Sequence, residues 1–297
     1  MANKQFYVAR SARLFQPPNQ HRKVFSDQPQ KVLMMSTVMT SRISSSTPWI
    51  VHSKPNPYAE LRLFCFPYAG GSATIYRQWQ QLLPATIEIC PVQLPGRGAR
   101  LHEPLFTSLG PLVQAIARAL FPYDDKPFAF FGHSMGALII FELARLLKEE
   151  GHKGPQHLFV SGRRAPHVDS REPPLFNLPA AEFFQELRRL GGTPTEVLEH
   201  PELMQLMEPL LRADFSVAEN YDHSTDEPLD CPMTVFGGLQ DEFTNREDLE
   251  GWRQHTSAAC TIRMFNGGHF FLNTAQPLLL RVLGMELHQL ANRKYGL

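Results

Sequence analysis

Phe130-Phe131-Gly132-His133-Ser134-Met135-Gly136-Ala137 is the stretch that decides how this chain is read. The apolar run Phe128–Phe131 leads into it and the strongly helical run Ala137–Lys148 leaves it, so a strand hands over to a helix within a few residues. Gly132-x-Ser134-x-Gly136 is the spacing of a turn that lifts a serine off the end of a strand, with small residues on both sides so that strand and helix can pass. The bare pattern is common. The strand before it and the helix after it give it weight. A helix starting here also points its first N–H groups, and a partial positive charge, at any negative charge that develops beside Ser134. Ser134 is therefore the candidate nucleophile.

A serine hydroxyl is protonated at neutral pH and needs a base. Of the 12 histidines, His269 lies in Phe265-Asn266-Gly267-Gly268-His269-Phe270-Phe271-Leu272, past the last expected strand and ahead of the closing helix. That agrees with the chain order serine, acid, histidine. His133 adjoins the serine in sequence but points elsewhere in such a turn, and is read as structural. A carboxylate must then hold the imidazole in one tautomer. Asp241 follows Val235-Phe236-Gly237-Gly238 at the end of an expected strand. Its rivals are the adjacent Glu242 and, in the helical region or its exit, Asp214, Asp222, Asp226 and Asp230, where a solvated carboxylate is the ordinary expectation. For the oxyanion of an acyl transfer, one donor is the N–H of Met135. The other comes from Pro67-Tyr68-Ala69-Gly70-Gly71, with Ala69 preferred and Tyr68 and Gly70 open alternatives. The histidines lack H-E-x-x-H or paired ligand spacing, so no metal is expected; acyl transfer through a serine, an imidazole and a carboxylate requires no organic cofactor.

Outward from this centre, short β-rich runs alternate with helical ones. Strands are expected at Leu61–Phe66, Ile87–Val92, Phe128–Phe131, His157–Ser161, Met233–Phe236 and Thr261–Phe265. Helices are expected at Ser72–Leu83, Leu109–Phe121, Ala137–Lys148 and Pro277–Leu290. Continuous rather than alternating apolar strands imply an α/β chain with a mostly parallel central sheet covered by helices on both faces. Between about Pro173 and Asp230 the strand signal stops and three helical patterns follow, at Pro179–Leu190, Pro194–Glu199 and Pro201–Asn220. This is expected to be a helical lid over the carboxyl edge of the sheet, where open α/β sheets bind ligands; a packing excursion is the alternative. Phe183, Phe184, Leu187, Leu203, Met204, Met207 and Leu211 are candidate channel lining, although at helical spacing they also suit the lid's own core.

Twenty-nine Lys and Arg against 29 Asp and Glu give no net charge, which removes the field a polyanion partner would follow and argues against nucleic acid. No apolar stretch approaches the roughly 20 residues of a bilayer span. Cys65, Cys90, Cys231 and Cys260 lack C-x-x-C spacing and read as buried thiols of a reducing, cytoplasmic compartment. Residues 1–47 are different: Lys4, Arg10, Arg13, Arg22, Lys23, Lys31 and Arg42 stand against Asp27 alone, with a Ser/Thr-rich end. They read as a disordered extension, the alternatives being an organelle transit peptide or a translation start at Met34, Met35 or Met39.

Six ordered blocks carry a resemblance. FCFPYAGGSA (64–73), QLPGRGAR (93–100), PFAFFGHSMGAL (127–138), LRRLGGTP (187–194), LRADF (211–215) and GGHFFL (267–272) together resemble the type II thioesterases. These are free-standing enzymes of the α/β-hydrolase fold that accompany nonribosomal peptide and polyketide synthases, with medium-chain fatty acyl thioesterases as relatives. The resemblance spans residues 48–297 and implies a triad of Ser134, Asp241 and His269 with oxyanion donors Ala69 and Met135. It further implies hydrolysis of acyl or aminoacyl thioesters from the phosphopantetheine arm of carrier proteins, for editing or release, by a monomer that uses neither nucleic acid nor membrane. Arg97 and Arg100 could touch the phosphate of that arm, with solvated loop arginines as the ordinary expectation. A lipase-like oxyester hydrolase and a non-catalytic carrier-binding module are the competing readings.

Overall fold

Six runs of aromatic, leucine and β-branched residues pair in parallel in the computed structural model, which describes residues 47–51, 56–193, 195–223 and 227–292. The strands are β1 (Leu61–Phe66), β2 (Ile87–Pro91), β3 (Phe128–His133), β4 (Leu158–Ser161), β5 (Met233–Gly238) and β6 (Cys260–Phe265), in the order β2-β1-β3-β4-β5-β6. Every pairing is parallel, so every connection crosses over a face of the sheet. The first five strands are buried throughout, while the edge strand β6 alternates between half-buried and exposed positions. The expected N-terminal extension lies, apart from Thr47, outside the described residues.

Successive side chains on each strand go to opposite faces. Phe64, Phe130, Val160 and Val235 pack on one side against α2 (Leu109–Leu120) and α3 (Met135–Glu149). Leu63, Phe131, Phe159 and Phe236 pack on the other against α9 (Gln276–Asn292) and against Trp79 of the single-turn α1 (Trp79–Leu82). The helix expected over Ser72–Leu83 is broken into a 3-10 turn, Ala73–Tyr76, and α1. Thr74-Ile75-Tyr76 is a weak helix former, and the Tyr76 hydroxyl is drawn to the Phe66 carbonyl, 2.6 Å away.

Between β4 and β5 lie α4 (Ala180–Leu190), α5 (Thr195–Leu198) and α6 (Pro201–Glu219). Phe183, Leu187, Leu198, Met204 and Leu211 form a small core of their own there. A further short helix, α7 (Arg246–Glu250), starts at a capping box between Asn245 and Asp248, and the one-turn α8 (Phe271–Thr274) precedes α9. Strand order reverses at β1, so the crevice at the carboxyl ends of β1 and β3 is where a doubly wound sheet binds its ligand. Three of the four cysteines are buried, but Cys260, on the edge strand, is half-exposed. Among the described residues no helix is long and apolar enough to cross a membrane.

Candidate active site

The chain turns from β3 into α3 through a single residue, Ser134, at φ 53° and ψ −110°. It is the only non-glycine among the described residues with positive φ. Such a backbone costs an L-residue of the order of 1–2 kcal/mol and persists only where its surroundings enforce it. They do so by crowding. A Cβ on Gly132 would lie 2.2 Å from the Gly136 carbonyl oxygen, and one on Gly136 would lie 2.3 Å from that of Phe66. The Ser134 N–H is taken by the Ser161 carbonyl of β4 at 2.8 Å. Met135, at the first helical position, has no intrahelical acceptor for its N–H.

Asp241 and His269 come from neighbouring loops, those after β5 and β6. The loops are stitched together: Leu239 N–H donates to Phe265 O at 2.8 Å and Gln240 N–H to Gly267 O at 3.0 Å. His269 Nδ1 is 2.9 Å from Asp241 Oδ2, and the carboxylate side chain is fully buried. Asp241 Oδ1 accepts the N–H groups of Phe243 and Thr244 at 2.9 and 3.2 Å. That loop is pinned in turn through α7, whose Asp248 receives a two-point ion pair from Arg171 at 2.9 and 2.7 Å. Among the described residues the alternatives to Asp241 do not take its place on His269 Nδ1, although Glu242 lines the same cavity as the imidazole. Glu242, Asp222 and Asp230 are exposed, Asp226 lies outside the described residues, and Asp214 is buried against Arg97.

Ser134, Met135, Ala69 and His269 all line one cavity of about 150 Å³. Of the three residues considered for the second oxyanion donor, Gly70 is already engaged, its N–H donating to Asp214 Oδ2 at 2.7 Å. Ala69 reaches the cavity wall and Tyr68 does not. The apolar lining comes from Leu175, Leu190, Phe215, Ala218 and Phe243. None of the seven lid residues expected to line it does so. Phe183, Leu187, Met204 and Leu211 turn into the insertion's own core, Phe184 and Met207 pack against that core, and Leu203 is exposed.

His133 is buried, with Nδ1 2.9 Å from Ser161 Oγ and its ring against those of Tyr68, His269 and Phe270. Burial, reinforced by neighbouring His269, holds its pKa well below the usual imidazole value, so it stays neutral.

Arg97 and Arg100 are not solvated. Arg97 is buried in a two-point pair with Asp214, and Arg100 stacks on Trp49 at 3.9 Å while donating to the Gln93 carbonyl. The cations that do reach the cavity are Arg163 and Arg164, at the end of β4, and Arg171, the partner of Asp248. Burial, aided by Arg164, pulls Arg163 down to about 10, which still leaves it charged at neutral pH. The position of Arg163 and Arg164 at a strand's carboxyl end, one strand from Ser134, was the signal that could have found them.

Residues 61–286 match the family model described as a thioesterase domain. The chain belongs to the thioesterase family. It is 47% identical over 246 residues to linear gramicidin dehydrogenase LgrE of Brevibacillus parabrevis, covering 82% of this chain and 94% of that one. It is 46% identical over 245 residues to the gramicidin S biosynthesis protein GrsT of Aneurinibacillus migulanus, covering 82% and 96%. Among solved structures, the RedJ thioesterase of the prodiginine pathway of Streptomyces coelicolor superposes with a TM-score of 0.74 at 38% identity, covering 83% of this chain and 98% of that one. The fold of this thioesterase chain is accordingly that of the α/β-hydrolase enzymes, and its class of reaction is hydrolysis of thioesters.

Proposed function

We propose that the chain hydrolyses acyl or aminoacyl thioesters carried on the phosphopantetheine arm of carrier proteins, clearing or releasing chains in nonribosomal peptide, polyketide or fatty acid synthesis. Ser134 Oγ attacks the thioester carbonyl carbon and its proton passes to His269 Nε2. The oxyanion is received by the N–H groups of Ala69 and Met135 and by the N-terminus of α3. Collapse of the adduct breaks the carbon–sulfur bond, and the thiol leaves with the proton from His269. Water then attacks the acyl-enzyme, His269 takes its proton and returns it to Ser134, and a carboxylic acid departs. Asp241 holds the imidazole with Nε2 free for this work.

One observation carries the assignment: the 2.9 Å His269–Asp241 hydrogen bond at the wall of the cavity that Ser134 also lines. The helical insertion over residues 173–230, which supplies Leu175, Leu190 and Phe215 to that wall, serves as the lid of a domain spanning residues 48–297. The relatives' names, in gramicidin S and prodiginine biosynthesis, support the carrier-bound substrate. A nicotinamide-dependent reaction, which the name of LgrE suggests for that protein, is disfavoured here. Neither Ala69-Gly70-Gly71 after β1 nor the turn after β3 has the G-x-G-x-x-G spacing a dinucleotide requires. The same reading has the chain acting as a monomer in the cytoplasm, where its free thiols remain reduced.

The test is to offer the purified protein an acyl group on a carrier arm and the same acyl group as a soluble oxyester. A tenfold or greater preference for the thioester is expected, and the opposite preference would replace this reading with that of an oxyester hydrolase.

A further inference from the structure

Two heavily invested buried charges outside the His269–Asp241 couple are Arg97, after β2, and Asp214, on α6. Both are almost completely buried. Arg97 Nη1 and Nη2 reach Asp214 Oδ2 and Oδ1, each at 2.7 Å. The pair also grips a third segment. Asp214 Oδ2 accepts the Gly70 N–H at 2.7 Å, and Arg97 Nη1 donates to the Gly71 carbonyl at 3.0 Å. One carboxylate and one guanidinium thus hold both ends of Gly70-Gly71, directly after the Ala69 N–H assigned to the oxyanion. Gly70 has φ +77°, and a Cβ there would lie 2.5 Å from Leu211 Cδ2, one turn before Asp214 on α6. The loop and the lid helix are therefore in close contact as well as bonded.

Stability does not account for this arrangement. Desolvating two ions is costly enough that a well-packed apolar pair of similar volume commonly serves as well or better. What an apolar pair cannot do is accept the Gly70 N–H and fix the rotation of its peptide. The peptide that carries the Ala69 N–H is the one immediately before it. Oxyanion donors act through placement, since a donor must lie 2.7–3.1 Å from where the charge will form.

We infer that Asp214, held by Arg97, is a positioning residue for the oxyanion hole, so that the hole is completed by a lid helix rather than by the sheet alone. This deepens the serine-hydrolase assignment above and rests on it.

Two readouts test it. One is turnover of a short acyl-pantetheine thioester. The other is the second-order rate at which a fluorophosphonate modifies Ser134, forming the Oγ–P bond with loss of fluoride; this draws on the same hole without any thioester. The double variant Arg97→Met/Asp214→Leu removes both charges together and is expected to fold. It is expected to lose about 10²-fold in kcat, the lower end for an oxyanion donor, with KM within about threefold and a parallel fall in phosphonylation. The pH dependence of kcat/KM is expected to be unchanged, because Asp241 and His269 are not touched. A folded double variant with both rates within about threefold of wild type overturns the inference. Should that variant not fold, Asp214→Asn and Asp214→Ala are compared at equal folded fraction. Asparagine, which keeps an oxygen for Gly70, is expected to retain the larger share of both rates, and equal rates overturn the inference. Wild-type protein that is phosphonylated but hydrolyses no thioester sinks the thioesterase assignment while the variant phosphonylation rates still decide the role of Asp214. Wild-type Ser134 that is not phosphonylated sinks both.

Discussion

Replacing Asp241 by asparagine leaves shape and volume almost unchanged, yet it is expected to be among the most damaging substitutions in the chain. The reason lies in how the carboxylate is held. Oδ1 accepts two backbone N–H groups, from Phe243 and Thr244, and Oδ2 faces His269 Nδ1 at 2.9 Å. An asparagine has one oxygen, and the two buried N–H donors claim it, because turning the amide over would set its NH₂ against both of them. The NH₂ then faces His269, whose Nδ1 must become the acceptor. The proton moves to Nε2, the nitrogen needed to take the proton of Ser134. An isosteric change therefore locks the base in the wrong tautomer. For a serine–histidine–aspartate site this loss is about 10⁴-fold in kcat, or roughly 5.4 kcal/mol at 1.36 kcal/mol per tenfold. The assay is steady-state hydrolysis of an acyl-pantetheine thioester, with circular dichroism to establish that the fold is kept. Asp241→Ala, which leaves the imidazole free to choose its tautomer, is expected to be no worse than Asp241→Asn. Retention by Asp241→Asn of more than a tenth of wild-type kcat would refute the argument.

Three other outcomes follow from the same geometry. Ser134→Gly is expected to abolish turnover while stabilising the fold by about 1 kcal/mol, or about 2–4 °C in Tm, by removing a Cβ from a backbone at φ 53°; a lower Tm would mean the turn is not strained. His133 and His255 both have pKa values depressed mainly by burial, His255 to about 4, against 6.5 for the free side chain. The unfolded chain therefore takes up protons that the folded one refuses as pH falls below about 6.5. Stability contributed by neutral burial is complete above that pH and is lost toward pH 4, by at most about 1.4 kcal/mol per pH unit per histidine. Denaturation midpoints across this window measure it, and His255→Gln is expected to flatten the slope. A cavity of about 150 Å³ accommodates a group of roughly benzene size, so kcat/KM across a series of straight acyl-pantetheine thioesters is expected to peak at short chains; a rise continuing to twelve carbons would refute a fixed cavity of this size.

The sheet was legible because its signals are local. Each strand is a short apolar run closed by glycine or proline, and all six occur where those runs predicted them. The turn at Ser134 was legible for a related reason. Gly132 and Gly136 stand where any Cβ would meet backbone oxygen at less than 2.5 Å, so the steric problem is written into three alternating residues. The helix misread at Ser72–Leu83 shows the limit of such signals. Its composition allows a helix, but the Tyr76 hydroxyl and the buried Trp79 ring are set by contacts with Phe66 and Phe131, which only the folded sheet supplies.

Charged residues were the least legible part of the site, because most charges at any surface are solvated and sequence gives no reason to treat one differently. Asp214 in an amphipathic helix and Arg97 in a glycine-rich loop each look ordinary alone, and they stand 117 positions apart. Asp241 was legible only because a strand ends just before it. Asp214 and Asp241 share a feature in the structure: each carboxylate accepts backbone N–H from a loop at the sheet edge, one for Asp214 and two for Asp241, while pairing with a cationic or hydrogen-bonding side chain. In the proposed mechanism one such carboxylate organises the base and the other grips the loop beside the oxyanion donor. A buried acid that bonds backbone on one side and a functional side chain on the other orients both at once. In a sheet whose loops carry the chemistry, that is how distant segments of sequence are held in register.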